Sequence, residues 1–226
     1  MCGRFALSDT QQLSLRFDVV PGDEHALIPR YNIAPAQMIP VVLEAEGARS
    51  VTMMRWGFRP PWKQAGKPDP INARAETVLE RPMFRSAIAR KRCLIPADGF
   101  YEWKVQAGTS GKQPYFIRLK DRGLFAFAGL YAEASDAAGR PLRTCAIITA
   151  SPNELMADIH SRMPVILGRQ FEAGWLDRDL TEPEVVVSFL KPYDAGEMEA
   201  YPVSSRVSFP RNDDAGLIAP LGGTAL

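Results

Sequence analysis

The chain has 226 residues, 46% hydrophobic and 23% charged, with 27 basic and 26 acidic side chains giving a formal charge of +1. That is the make-up of a soluble globular protein with room for a sizeable core, and no apolar run approaches the roughly 20 residues a membrane-spanning helix needs. Three cysteines, two histidines and no Cys-x-x-Cys pair argue against a disulfide framework and a structural zinc site, so neither metal nor cofactor is expected.

Ser8 followed by Gln11 has the form of a capping box and predicts a short helix with Leu13 and Phe17 on one side. The run Tyr31-Asn32-Ile33-Ala34-Pro35 reads as a polar, turn-rich loop. Segments 38–43 and 51–58 are rich in apolar and β-branched residues and read as strands. An extended piece over 72–77 precedes a helix over 82–91, where Phe84, Ala87 and Ile88 recur at helical spacing. Strands are then expected over 93–103, 115–119, 124–132 and 143–149; Cys93 and Cys145 lie in these apolar runs. Pro152 and Asn153 open a short helix leading to His160, 163–167 is again a strand, and helical pieces near 171–175 and 183–190 lead to a polar tail from about 210. No repeat or long linker appears, and prolines are densest at Pro60, Pro61, Pro68 and Pro70. Strands outnumber helices without alternating with them. The expected fold is therefore α+β: one domain over 1–226 with a mixed, barrel-like β-sheet core and short flanking helices.

Several runs have the composition of sites rather than cores. Loss of Met1 would leave Cys2 with an α-amine and a thiol on adjacent carbons. Such a 1,2-aminothiol condenses with an aldehyde to an imine that sulfur closes to a thiazolidine, or attacks an amide with the amine as base. Both groups have ordinary pKa values of about 8 to 8.5, which leaves a reactive fraction near neutral pH. Glu102 lies between aromatics in the run Gly99-Phe100-Tyr101-Glu102-Trp103, where burial would raise its pKa. Asn72 and Arg74 share the extended segment, and His160 stands two residues before Arg162. Arg55, Arg59, Lys63 and Lys67 form one acid-free basic run, interleaved with Trp56, Phe58 and Trp62. Arg81, Arg85, Arg90, Lys91 and Arg92 form a second, while acids gather around 172–199. Segregated charge of this kind suits one face to phosphates. Taken singly, each residue has an ordinary alternative: Glu102 as an exposed strand residue, His160 as a surface histidine, Trp62 as a core aromatic, the basic runs as solvated faces.

Taken together and in order, Met-Cys-Gly-Arg-Phe, Arg-Tyr-Asn-Ile-Ala-Pro, Arg-Trp-Gly-Phe with a following Pro and Trp, Asn-Ala-Arg-Ala-Glu-Thr, Arg-Cys-Leu-Ile-Pro-Ala-Asp-Gly-Phe-Tyr-Glu-Trp and His-Ser-Arg-Met-Pro-Val-Ile-Leu resemble the SRAP family of abasic-site processing proteins. The resemblance runs from Cys2 to the segment 206–214. It implies a barrel-like fold, loss of Met1, covalent capture of abasic sites in single-stranded DNA by Cys2, and a weak lyase side activity. It also implies a catalytic set of Cys2, Asn72, Glu102 and His160, with Arg4, Pro35, Trp62, Arg74, Arg85 and Arg162 holding DNA. The partner would be abasic single-stranded DNA, junctions with duplex included, met by a monomer. Ser161 departs from the pattern, where an acidic or amide residue is more usual. Arg4, Asp9 and Arg16 interrupt the order of a secretory signal, so the expected compartment is the cytoplasm, at the nucleoid when DNA is bound. The rivals are an N-terminal-nucleophile amidohydrolase releasing ammonia from glutamine, and a DNA-binding module without chemistry.

Overall fold

The computed structural model describes residues 2–19, 27–63, 66, 68–106, 108, 111–136 and 138–223; Met1, His25 and Lys67 lie outside them. Strand β1 (Phe5–Leu7) is wholly buried, and a 3-10 turn then runs into α1 (Leu13–Phe17), which buries Leu13 and Phe17. The Ser8–Gln11 capping box does not form. The Ser8 hydroxyl instead donates to Asp98 at 2.6 Å, because that buried carboxylate gathers the Ser8 N–H and hydroxyl and the Asp9 N–H at one point. The expected loop at 31–35 is largely strand β2 (Arg30–Ile33), since pairing with β1 satisfies its backbone and Asn32 is fully buried.

Strands β3 (Met38–Ala45) and β4 (Ala48–Trp56) form a hairpin whose two loop residues, Glu46 and Gly47, have φ of 54° and 76°. Two positive φ values make the tight turn that suits the twist of the flanking strands. Strand β5 (Asn72–Arg74) leads through a 3-10 turn to α2 (Pro82–Arg90), where Pro82 sits in the first turn and Phe84, Ala87 and Ile88 face inward as their spacing predicts. The run expected as one strand over 93–103 is two, β6 (Arg92–Ala97) and β7 (Gly99–Val105), broken at Asp98. Gly99 is required there: a Cβ would stand 2.0 Å from the Phe116 ring. Next come β8 (Lys112–Leu119), β9 (Phe125–Ser135), β10 (Pro141–Ala150) and α3 (Glu154–Ala157). The strand expected over 163–167 is two short pieces on different neighbours, β11 (Met163–Pro164) on β10 and β12 (Ile166–Leu167) on β9. Helices α4 (Arg169–Leu176) and α5 (Pro183–Ser188) precede β13 (Met198–Pro202).

Strands β4, β3, β6, β9 and β10 pair in turn, and β10 returns to β4 in parallel, closing a five-strand mixed barrel. Closure removes the sheet edges that would otherwise leave backbone groups unpaired. A second sheet in the order β13, β8, β7, β1, β2 packs against it. Phe127 of the barrel meets Phe5 and Phe100 of the second sheet at centroid distances of 5.8 and 6.0 Å. Coverage on both faces explains why β6 is buried at all six positions and reads as a continuous apolar run. The C-terminal segment, expected from its composition as a polar tail, packs Leu217 with Val203, Val207 and Tyr201 in a smaller cluster. No described helix is long and apolar enough to cross a membrane.

Candidate functional site

Pairing of β1 with β7 carries the N-terminal residues along β7, with the Tyr101 N–H donating to the Arg4 carbonyl at 2.9 Å. Cys2 is thereby brought beside Glu102. The Cys2 side chain is fully buried, and burial first, then the nearby Glu102 charge, push its thiol pKa far up. Asn72 reaches the same place from the barrel: β5 pairs in parallel with β10, Asn72 opposite Ile147, and its Nδ2 donates to the Cys2 carbonyl at 2.9 Å. Asn72 Oδ1 is buried without a hydrogen-bond partner among the described residues. Glu102 is 2% exposed; burial raises its pKa, against which the charge of His160 acts.

His160 follows α3, which Asn153 caps by accepting from the Met156 N–H at 2.9 Å. The His160 N–H donates back to the Met156 carbonyl at 2.8 Å, and ring Nδ1 accepts the Arg162 N–H at 3.0 Å. Nδ1 also stands 3.2 Å from the Arg162 carbonyl; the N–H contact is the shorter and a backbone N–H only donates, which favours Nδ1 as the acceptor and the proton of the neutral ring on Nε2. Cys2, Asn72, Glu102 and His160 thus converge from four separate segments.

Beside them lies an open groove of about 440 Å³ lined by Trp62, Asn72, Arg74, Arg81, Met83 and Phe84, among others. Trp62 is 57% exposed, which removes it from the core. Arg74 is exposed at the end of β5, and Arg85 is exposed one helical turn beyond Arg81. Pro35 is exposed in the turn 34–37, where Ala36 has φ 68° and donates its N–H to the Trp56 carbonyl at 2.8 Å. That contact ties the turn to the end of β4, where the loop bearing Trp62 leaves.

Several other candidate cations are engaged by groups of the protein itself. Arg4 donates to Asn32 Oδ1 at 2.8 Å and to the carbonyls of Val207 and Ser208, with its guanidinium 5.9 Å from the Trp103 ring centroid. Arg162 is forked onto Glu76. Arg55, Arg59 and Lys63 of the first basic run all converge on Asp69. Burial by itself would raise the Asp69 pKa, but hydrogen bonds from Lys63, Arg55 and Arg59 outweigh it and bring it down to about 2. In the second run Arg92 is buried and donates to the carbonyls of Trp175, Ile88, Ala89, Asp177 and Leu180, joining the ends of α2 and α4. Asp69, two residues past the basic run, and Glu76, inside the Asn72 motif, are the contributors that sequence reasoning passed over. Among the described residues no group of three or more His, Cys, Asp or Glu is placed to hold a metal ion.

The arrangement is a buried thiol, an amide, a carboxyl of raised pKa and an imidazole N–H, next to a groove with an exposed indole and arginines. The sequence profile described as SOS response associated peptidase (SRAP) matches residues 1–210. The chain is 47% identical over 224 residues to the Abasic site processing protein YoaM of Bacillus subtilis (strain 168), covering 96% of this chain and 97% of that protein. It is 31% identical over 229 residues to the Abasic site processing protein YedK of Escherichia coli (strain K12), covering 98% and 100%. Among solved structures, a Bacteroides thetaiotaomicron protein superposes with a TM-score of 0.86 at 28% identity over 97% of this chain and 100% of that one. One from Bordetella bronchiseptica gives 0.77 at 27%, covering 90% and 100%.

Proposed function

The chain belongs to the SOS response associated peptidase (SRAP) family, and on that premise we propose that it acts on abasic sites in single-stranded DNA by covalent capture on Cys2. The observation that carries this is the convergence on Cys2 of Asn72, hydrogen-bonded to its carbonyl at 2.9 Å, with Glu102 and, beyond it, His160.

Met1 leaves first, freeing the Cys2 amine; self-cleavage by the Cys2 thiol is one route. His160 passes its Nε2 proton to the ring oxygen of the abasic sugar while the proton of the C1′ hydroxyl returns to that nitrogen through solvent, so the sugar opens to the C1′ aldehyde and the imidazole ends neutral. The amine adds to that carbon and water departs, giving the imine. Sulfur then adds to the imine carbon while the thiol proton passes to nitrogen, closing the thiazolidine. Glu102 shuttles protons through the amine addition and the loss of water, a role its raised pKa suits because it then holds a proton nearer to neutrality. Asn72 holds the Cys2 main chain. An imine acidifies the C2′ proton and invites strand cleavage, so ring closure protects the strand, and cleavage by way of the open imine is the weak side reaction. Trp62 and the exposed Arg74 and Arg85 hold the strand by stacking and phosphate pairing.

The test combines intact-mass measurement with a denaturing gel of the purified protein and abasic single-stranded DNA. The expected species starts at Cys2 and runs as a heat-stable adduct. A stable adduct from protein that retains Met1, or an undiminished one from Cys2→Ala, overturns the thiazolidine route. Ammonia release from glutamine with no adduct identifies an amidohydrolase instead.

A further inference from the structure

Glu76 lies in the 3-10 turn that follows β5, two residues past Arg74. Its carboxylate takes a two-point fork from Arg162, Nη1 to Oε1 at 2.8 Å and Nη2 to Oε2 at 2.9 Å. Arg162 Nη2 also donates to the Thr149 carbonyl at 2.5 Å and to Thr149 Oγ1 at 3.1 Å, and Thr149 stands opposite Arg74 in the β10–β5 register. The Arg162 side chain is only 16% exposed, while the Glu76 side chain that takes the fork is about half exposed. From the same residue, the main-chain N–H donates to His160 Nδ1 at 3.0 Å. One continuous set of contacts therefore runs from the exit of the strand that carries Asn72 to the imidazole ring. A bidentate guanidinium–carboxylate pair fixes orientation as well as distance, and the nitrogen that accepts on an imidazole decides which nitrogen keeps the proton.

We infer that Glu76 is a positioning residue: through its fork with Arg162 it holds the loop after α3 against the β5 segment and keeps His160 in the Nε2–H tautomer. The inference rests on the proton-donor role proposed for His160.

The chain has only two histidines, so long-range proton–nitrogen NMR spectra contain two ring patterns, and His160→Gln assigns them. With its ring neutral, His160 is expected as a single Nε2–H tautomer in the otherwise unaltered protein. Glu76→Ala should move that pattern toward a mixture of tautomers, while Glu76→Gln, which keeps the shape and one acceptor, falls between. With abasic DNA, Glu76→Ala should slow adduct formation about tenfold at saturation, a part of the roughly 10² that general acid–base catalysis supplies. Affinity for intact single strands should stay within about twofold, because no phosphate contact is lost. An unchanged His160 pattern in both variants overturns the inference. So does tighter DNA binding by Glu76→Ala with a salt slope steeper by about 0.7, the signature of one more phosphate contact, since Glu76 would then be occupying a phosphate site on Arg162. The tautomer spectra need no DNA, so a failure of abasic-site capture leaves this inference separately decided.

Discussion

At the scale of single residues the site works by opposing what water would do to each group. Glu102, at 2% exposure, is pushed toward its protonated form by burial. Its folded pKa lies above the ordinary 4.5, so it contributes stability below that value, and the contribution is lost as pH rises through the folded pKa. Glu102→Gln should therefore lose less stability than wild type between pH 4 and pH 8 in thermal melts; parallel curves would show that the carboxyl is not carried folded in its protonated state. The same substitution, like His160→Ala, should slow adduct formation by about 10²-fold or more with binding to intact single strands nearly unchanged. Asn72→Ala acts more mildly, because it positions Cys2 without moving a proton. Binding and rate falling together in all three would mark these residues as structural.

At the scale of elements, the proposed strand contacts turn on the loop that leaves β4 and returns before β5. Its neck is closed by the Phe58 N–H on the Pro70 carbonyl at 2.8 Å and by three cations on Asp69, while Trp62 stays outside. Asp69 offsets one of these three charges and fixes where the others point. In a salt titration of single-strand binding, Arg74→Ala and Arg85→Ala should each flatten the slope by about 0.7. Trp62→Ala should weaken binding by about 1 to 3 kcal/mol at unchanged slope, since stacking releases no counterions. Equal slopes for the arginine variants and wild type would return those arginines to the solvated surface. Asp69 has the opposite pH sense from Glu102: its stabilisation is present above the ordinary 3.8 and is lost as pH falls through about 2. Asp69→Asn should accordingly flatten the acid limb of the stability curve measured by circular dichroism.

At the scale of the whole molecule, the site sits on the seam between the two sheets. Cys2 and Glu102 come from the second sheet's β1 lead-in and β7, Asn72 from β5 on the barrel strand β10, and His160 from the loop before β11. The seam is filled by aromatic rings, with Phe127 in contact with Phe5, Phe100 and Phe125. Phe127→Ala should cost about 3 to 5 kcal/mol, a large part of a typical domain's stability. Its urea midpoint should fall, and adduct yield should follow the same curve as ellipticity. Yield lost while the ellipticity is still native would mean that the site opens independently of the barrel.

By itself the sequence determined the elements with long apolar patterns: the helix over 82–91, whose spacing records which face is buried, and the strands at 38–43 and 143–149, whose continuous apolar runs are buried on both faces along most of their length. It also singled out Cys2, Asn72, Glu102 and His160 as candidates, through motifs long enough to carry a family resemblance. Only the tertiary structure decided where runs break, as at Asp98, where a carboxylate that binds three donors across 89 to 90 residues of chain turns one apparent strand into two. It decided as well which cations remain outside the protein. Arg55, Arg59 and Lys63 end on Asp69, and Arg162 on Glu76, 86 residues away. Charge patterning along a chain shows what a residue can pair with, but the partner is set by which segments the barrel closure and sheet stacking bring together.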